Sequence, residues 1–221
     1  MDARFRSGRY ITQSSGYRAF LPAALPPDPP LALDHEILEA LSSADRALGR
    51  LDGSTEALPN PDLFVMMYIR KEALLSSQIE GTQASLAEVL ELESDLMDPS
   101  KETDADEVIN YIKAMDYGLK RLEDLPLSLR LIKEIHEKLL TGSRGREKSP
   151  GEFRRSQNWI GPGGCTLANA TFVPPPPSDL LTCLGDWESF LHSEAPMPLL
   201  FRVGMAHAQF ETIHPFLDGN G

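Results

Sequence analysis

From Asp34 to His214 the chain is a succession of segments that read as helix, broken by glycine and proline, and this limits the fold to a mainly helical one. The first, DHEILEALSSADRALGRL, sets Ile37, Leu38, Leu41, Ala44, Leu48 and Leu51 at helical spacing behind Asp34, a residue type that caps helix N-termini. LDGSTEALPNP breaks it. PDLFVMMYIRKEALLSSQIEG predicts a second long helix ending near Gly81, SLAEVLELES a short acidic third, and DADEVINYIKAMDYGLKRLEDL a fourth. PLSLRLIKEIHEKLLTG predicts a fifth between a Ser128 cap and a Gly142 stop, SDLLTCLGDWESFLHS a sixth and PLLFRVGMAHAQFETIH a seventh. The seventh is apolar nearly all round, so it is expected to run through the core.

Two regions resist this pattern. Residues 1–33 read as loop, because LPAALPPDPPLAL holds too many prolines for a helix or sheet interior. In residues 143–177, SQNWI and ATFV are strand-like pieces around GPGG, which predicts a β-hairpin or an extended loop.

Composition excludes several classes. With 41% hydrophobic and 24% charged residues this is the balance of a globular protein, and no apolar run approaches the roughly 18 residues of a membrane span. The N-terminus is mixed and charged, unlike a secretory signal. Two cysteines without CxxC spacing, Cys165 and Cys183, suit a reducing compartment such as the cytoplasm and argue against a disulfide framework or a zinc site. A net charge of −12 disfavours nucleic acid as a partner of this segment.

The chemistry concentrates in ETIHPFLDGNG, Glu211 to Gly221. Pro215 makes the helical region unfavourable for His214, so the chain should turn there, with Phe216 as the apolar anchor of the turn. In DGNG the glycines can take positive φ, so that successive N–H groups of Gly219, Asn220 and Gly221 can line an anion-binding concavity. Asp218 adds a hard oxygen ligand of the kind magnesium uses on a polyphosphate. His214 adds a group that titrates near neutrality and can take a proton from a hydroxyl. On the residues alone, ordinary turn chemistry explains the same string. A two-histidine metal site is excluded by spacing, since His207 and His214 lie two turns apart, roughly 10 Å, and His207 is expected to be a hydrogen-bonded core residue.

HPFLDGNG resembles the signature of the Fic family, H-P-F-x-[D/E]-G-N-G-R-x-x-R. PGEFRRSQNWIG and ATFVPPPP resemble the segments around the Fic flap hairpin, and MAHAQFETIHPF the helix that leads into the motif. LLSSQIEGT resembles the Fic inhibitory-helix motif, here Ser76 through Glu80 and Gly81, placed before the core. The resemblance covers roughly residues 35 to 221. It implies a Fic-like helical bundle with a β-hairpin flap, divided into residues 1–98 with the inhibitory motif and 99–221 as the Fic core.

The resemblance also implies an activity: transfer of AMP from ATP to a Ser, Thr or Tyr hydroxyl of a target protein. His214 would be the general base, Asp218 would hold Mg2+, Gly219, Asn220 and Gly221 would form the anion hole, and the flap would bind the target by adding a strand to it. It leaves a homo-oligomer open. The family pattern continues with an arginine directly after Gly221 and a second three residues on. These bind the β- and γ-phosphates, and Glu80 inhibits by pairing with the second. Neither is in this chain, which is expected on that ground to be a piece of a longer protein. The alternative is a non-catalytic helical interaction module, or an inactive fragment.

Overall fold

The structure is a computed structural model, described here for residues 6–79, 82–94, 104–142 and 146–220. Among these residues it is mainly helical, with seven α-helices and one two-stranded antiparallel sheet. The chain forms two compact units. One contains Met1–Leu33, Leu127–Leu129 and Glu152–Gly221; the other contains Asp34–Pro126 and Arg130–Gly151.

The second unit holds α1 (His35–Thr55), α2 (Pro61–Ile79), α3 (Leu86–Glu93), α4 (Asp104–Arg121) and nearly all of α5 (Leu129–Leu139). Asp34 caps α1 as expected, its Oδ1 accepting from the N–H of Ile37 at 2.9 Å. The helix does not stop at Leu51 but continues through Gly53 to Thr55. A glycine inside a helix costs only about 1 kcal/mol against alanine, less than a full break. α3 begins with a capping box, Ser85 and Glu88 each satisfying the other's backbone N–H. The core of this unit joins Ala73 and Leu74 of α2, Val89 of α3, and Ala105, Val108, Ile109 and Ile112 of α4. α4 and α5 meet where Gly118 lies so close to Ile135 that a Cβ there would sit 2.8 Å from Cδ1. α1 fully buries none of its residues: of its apolar stripe Leu41 and Ala44 are half-buried, while Ile37, Leu38, Leu48 and Leu51 are exposed. Period determines that a segment is helical, not that its stripe is covered.

The first unit holds β1 (Gly8–Thr12), β2 (Arg18–Pro22), α6 (Pro177–Leu191) and α7 (Leu199–Ile213). The regular hairpin of the fold is β1–β2, in a region expected to be loop. The prolines that suggested a loop begin only at Pro22, the last residue of β2. In the flap segments the pairing is confined to one antiparallel bridge, Ile160 with Phe172. The flap is tied to β2 instead, through Phe20 N–H donating to Val173 O at 2.8 Å and the Phe20 and Phe172 rings 5.9 Å apart.

α6 opens with Pro177 at its first turn, where the missing N–H has no helical partner to lose. It packs on α7 through Trp187, whose Nε1 donates to Ala206 O at 2.7 Å and whose ring lies 5.3 Å from that of Phe210. The expectation that α7 runs through the core is corrected. Ala206 and Ile213 are buried, but Leu199 is 71% and Val203 56% exposed. Among the described residues α6 covers one side of α7, and an all-round apolar helix needs cover on every side. His207 lies on the open side and is exposed rather than in the core.

Candidate active site

The site is built where α7 stops. Pro215 withholds the helical conformation from His214, and His214 becomes the C-cap in the left-handed region, φ 48° and ψ 63°. A non-glycine residue there is strained unless its surroundings hold it. Ile213, Pro215 and Phe216 are fully buried around the turn, and the Phe216 ring lies 5.2 Å from that of Phe153. Burying a phenylalanine fully contributes about 1.5–3 kcal/mol, enough to pin a turn of this size. Phe216 is buried at this turn, while Leu217 and Asp218 face solvent.

The loop closes through its own side chains. Asn220 Oδ1 accepts from the N–H of Phe216 at 2.7 Å, and its Nδ2 donates to Phe216 O at 3.0 Å. Gly219 takes φ 63°, and its N–H donates to Asp218 Oδ1 at 3.0 Å. The Asn220 side chain therefore shapes the loop, and the Gly219 N–H is turned towards the neighbouring carboxylate. Gly221 lies outside the described residues, as do Glu80 and Gly81. Ser76, the first residue of the inhibitory motif, donates its hydroxyl to Glu72 Oε1 at 3.1 Å on α2.

The imidazole of His214 titrates below an ordinary histidine. Burial lowers its pKa first, the Arg154 guanidinium lowers it further, and the Glu211 carbonyl pulls weakly the other way. Its Nδ1 is buried without a hydrogen-bond partner among the described residues. Arg154 is buried, and loss of solvent brings its guanidinium down to about 10. It donates to the carbonyls of His214, Ser156, Pro175 and Ile213. Next to it, Gln157 accepts from the Tyr17 hydroxyl at 3.1 Å and donates to Pro174 O at 3.1 Å. Asn158 donates to His214 O and Phe216 O. Arg154, Gln157 and Asn158 were not singled out as site residues, though all three stand in PGEFRRSQNWIG. An arginine just before a strand-like piece gives no sign from sequence that it will be buried.

No group of three or more His, Cys, Asp or Glu among the described residues could hold a metal ion. An exposed Asp218 suits a magnesium ion held by one carboxylate and by substrate phosphates, the usual mode for that ion.

A family model described as Fic/DOC family N-terminal matches residues 38–120, and one described as Fic/DOC family matches residues 126–221. The chain belongs to the Fic/DOC family. It is 30% identical over 200 residues to a protein named protein adenylyltransferase Fic from Drosophila ananassae, an alignment covering 86% of this chain and 36% of that protein. The protein of the same name from Drosophila melanogaster is also 30% identical, with 86% and 37% covered. This Fic chain therefore spans little more than a third of the length of these relatives. Among solved structures, a Fic family protein from Desulfovibrio desulfuricans G20 superposes with a TM-score of 0.65 at 22% identity, covering 86% of this chain and 55% of that one. Fic-1 from C. elegans gives 0.56 at 25%, covering 85% and 55%. Both neighbours share the helical Fic fold.

Proposed function

We propose that this Fic protein transfers AMP from ATP to a Ser, Thr or Tyr hydroxyl of a target protein. The observation that carries this reading is the placing of His214 on a left-handed turn, between buried Ile213 and Pro215, that runs directly into Asp218 and Gly219, with burial disfavouring charge on its ring. The names of the Drosophila relatives support the same activity.

In the proposed step the target hydroxyl oxygen attacks the α-phosphorus, the bond from that phosphorus to the bridging oxygen of the β-phosphate breaks, and pyrophosphate leaves. His214 takes the hydroxyl proton, a task for a base that is neutral at working pH. Backbone N–H groups of Gly219, Asn220 and Gly221 hold phosphate oxygens, for which the Gly219–Asp218 bond has to give way to the nucleotide. Asp218 would hold a magnesium ion, which supplies charge neutralisation on the phosphates. The bridge between Ile160 and Phe172 leaves a short extended edge, with Trp159 partly exposed beside it, as the place where a target segment adds its backbone.

Regulation and context complete the reading. Glu80 inhibits by pairing with an arginine of the whole gene product, a charge-assisted contact able to compete with a phosphate oxygen. Labelling should then rise in Glu80→Gly, and equal labelling would refute the switch. Residues 1–98 carry this control and 99–221 the chemistry, although the α2–α3–α4 core spans that boundary. Two free cysteines fit a cytoplasmic setting, and no helix among the described residues is long and apolar enough to cross a membrane.

The test is incubation of the whole gene product and magnesium with cell lysate and ATP labelled on either the α- or the γ-phosphate. Label from the α-phosphate alone on a protein supports AMP transfer. Label from the γ-phosphate would mean phosphoryl transfer, and no label from either would favour a non-catalytic interaction module.

A further inference from the structure

All four backbone carbonyls from Ile213 to Phe216 accept hydrogen bonds from one short stretch of the flap segment. Arg154 Nη2 reaches Ile213 O at 3.3 Å and its Nε reaches His214 O at 2.9 Å. The backbone N–H of Arg154 reaches Pro215 O at 2.9 Å. Asn158 Nδ2 reaches His214 O at 3.1 Å and Phe216 O at 2.9 Å.

The chemistry of the two partners explains the match. A helix leaves its last carbonyls without intrahelical donors, and its C-terminus carries partial negative charge. A buried guanidinium is costly unless its N–H groups are all directed at acceptors. The end of α7 and Arg154 satisfy each other. Asn158 completes the set while its own Oδ1 stays buried with no partner, as does His214 Nδ1. Two orphaned polar atoms among the described residues, one on the turn and one on the flap residue bonded to it, mark an arrangement maintained against local preference.

Resting on the reading of His214 as the base, we propose that Arg154 and Asn158 are positioning residues that hold His214 in its left-handed conformation for proton abstraction. Their tasks differ. Arg154 contributes charge as well as donors, and its positive field disfavours a second positive charge on the ring. Asn158 is neutral and contributes donors only. Among the described residues, Tyr17 and Cys183 act on Arg154. Glu211 on α7 contributes its carbonyl, Cys183 on α6 interacts with Arg154 but is kept a thiol by burial that pushes it up to about 11, and Asp218 follows in the loop, exposed.

The test is a side-chain NMR titration of His214 in the whole gene product, as wild type, Arg154→Gln, Arg154→Lys and Asn158→Ala, with kcat and KM for ATP on the same samples. In the wild type His214 should titrate below an ordinary histidine, and in Arg154→Gln it should move back up. Arg154→Lys keeps the charge and Asn158→Ala never alters it, so both should keep the low pKa. Both should nonetheless lose up to about 10²-fold in kcat, the cost of misplacing a reacting group by about 1 Å, with KM little changed. Unaltered kcat in those two variants would overturn the positioning role. A His214 titration indifferent to Arg154→Gln would overturn the charge role, and if that variant fails to fold by circular dichroism, the kcat of the other two decides. The titration needs no turnover. A wild type that transfers no AMP therefore refutes the activity, while the histidine pKa still judges the charge role of Arg154.

Discussion

Both ends of the Asn220 carboxamide are bonded to the backbone of Phe216, Oδ1 to its N–H at 2.7 Å and Nδ2 to its carbonyl at 3.0 Å. The residue that seemed only a member of an anion cradle is also the clasp of the loop. Asn220→Ala removes both bonds, and Asn220→Asp keeps the acceptor but faces the Phe216 carbonyl with an oxygen. Asn220→Ala should lower stability by about 1–3 kcal/mol, because the Phe216 N–H loses its acceptor, and Asn220→Asp should also be destabilising, because an oxygen replaces the donor opposite the Phe216 carbonyl, which then keeps only Asn158. Urea unfolding midpoints check this, and midpoints equal to wild type would show that the Asn220 clasp does not hold the turn.

His214→Ala should reduce AMP transfer by about 10²–10⁴, the usual contribution of general acid–base catalysis, while ATP affinity persists because the cradle is backbone. The pH profile follows from the lowered pKa. The base is competent where the ring is neutral, so the acid limb of kcat/KM should lie below that of an ordinary histidine. The same group affects stability with a definite sign. Its folded pKa lies under the unfolded value of about 6.5, so its contribution is fully present above that value and is lost as pH falls through the folded pKa. An acid limb at or above an ordinary histidine pKa would contradict the assignment.

Gly219 stands at φ 63°, where a β-branched side chain is a genuine outlier. Gly219→Val should force the loop out of that conformation and weaken nucleotide binding. The helices should be unaffected, since nothing in the core depends on that loop residue. Calorimetric titration with ATP and a thermal melt separate the two effects. An unchanged ATP affinity would mean that the left-handed glycine is not part of the cradle.

The helices were legible because apolar period and end signals are local: Asp34 does cap, and His-Pro does end α7. The turn at His214 followed from the same local rules. Pairing between distant segments was less legible. Strand propensity in SQNWI and ATFV pointed to a hairpin, but Val173 O is taken by β2 and the Asn158 side chain by the end of α7, and one bridge is formed. The β1–β2 hairpin was hidden by the prolines that follow it. Arg154 was missed because burial of an arginine depends on carbonyls some 60 residues away in the chain, as in its bond to His214. Composition within a segment carries no trace of such partners.

In the second unit Glu134 accepts from three donors: the Tyr117 hydroxyl at 2.9 Å, Arg121 Nε at 3.1 Å and Arg130 Nε at 2.8 Å. The Arg130 bond leads, with the other two, in lowering its pKa from 4.5 to about 2. A depressed carboxylate pKa stabilises the fold above the unfolded value and loses that contribution as pH falls through the folded value. Glu134→Gln keeps the shape of the side chain and deletes the charge. It should be less stable than wild type at neutral pH, with the difference shrinking between pH 4.5 and about 2. Tyr117 supplies a second readout, since its hydrogen bond to Glu134 is the main reason its phenol titrates above the usual value. In Glu134→Gln the Tyr117 titration, followed by ultraviolet absorbance, should move down towards that of a free tyrosine. Chemical melts at stepped pH give the stability limb. Parallel pH curves for the two proteins, together with an unmoved Tyr117, would show that the three donors bind a carboxylate without stabilising the helix pair.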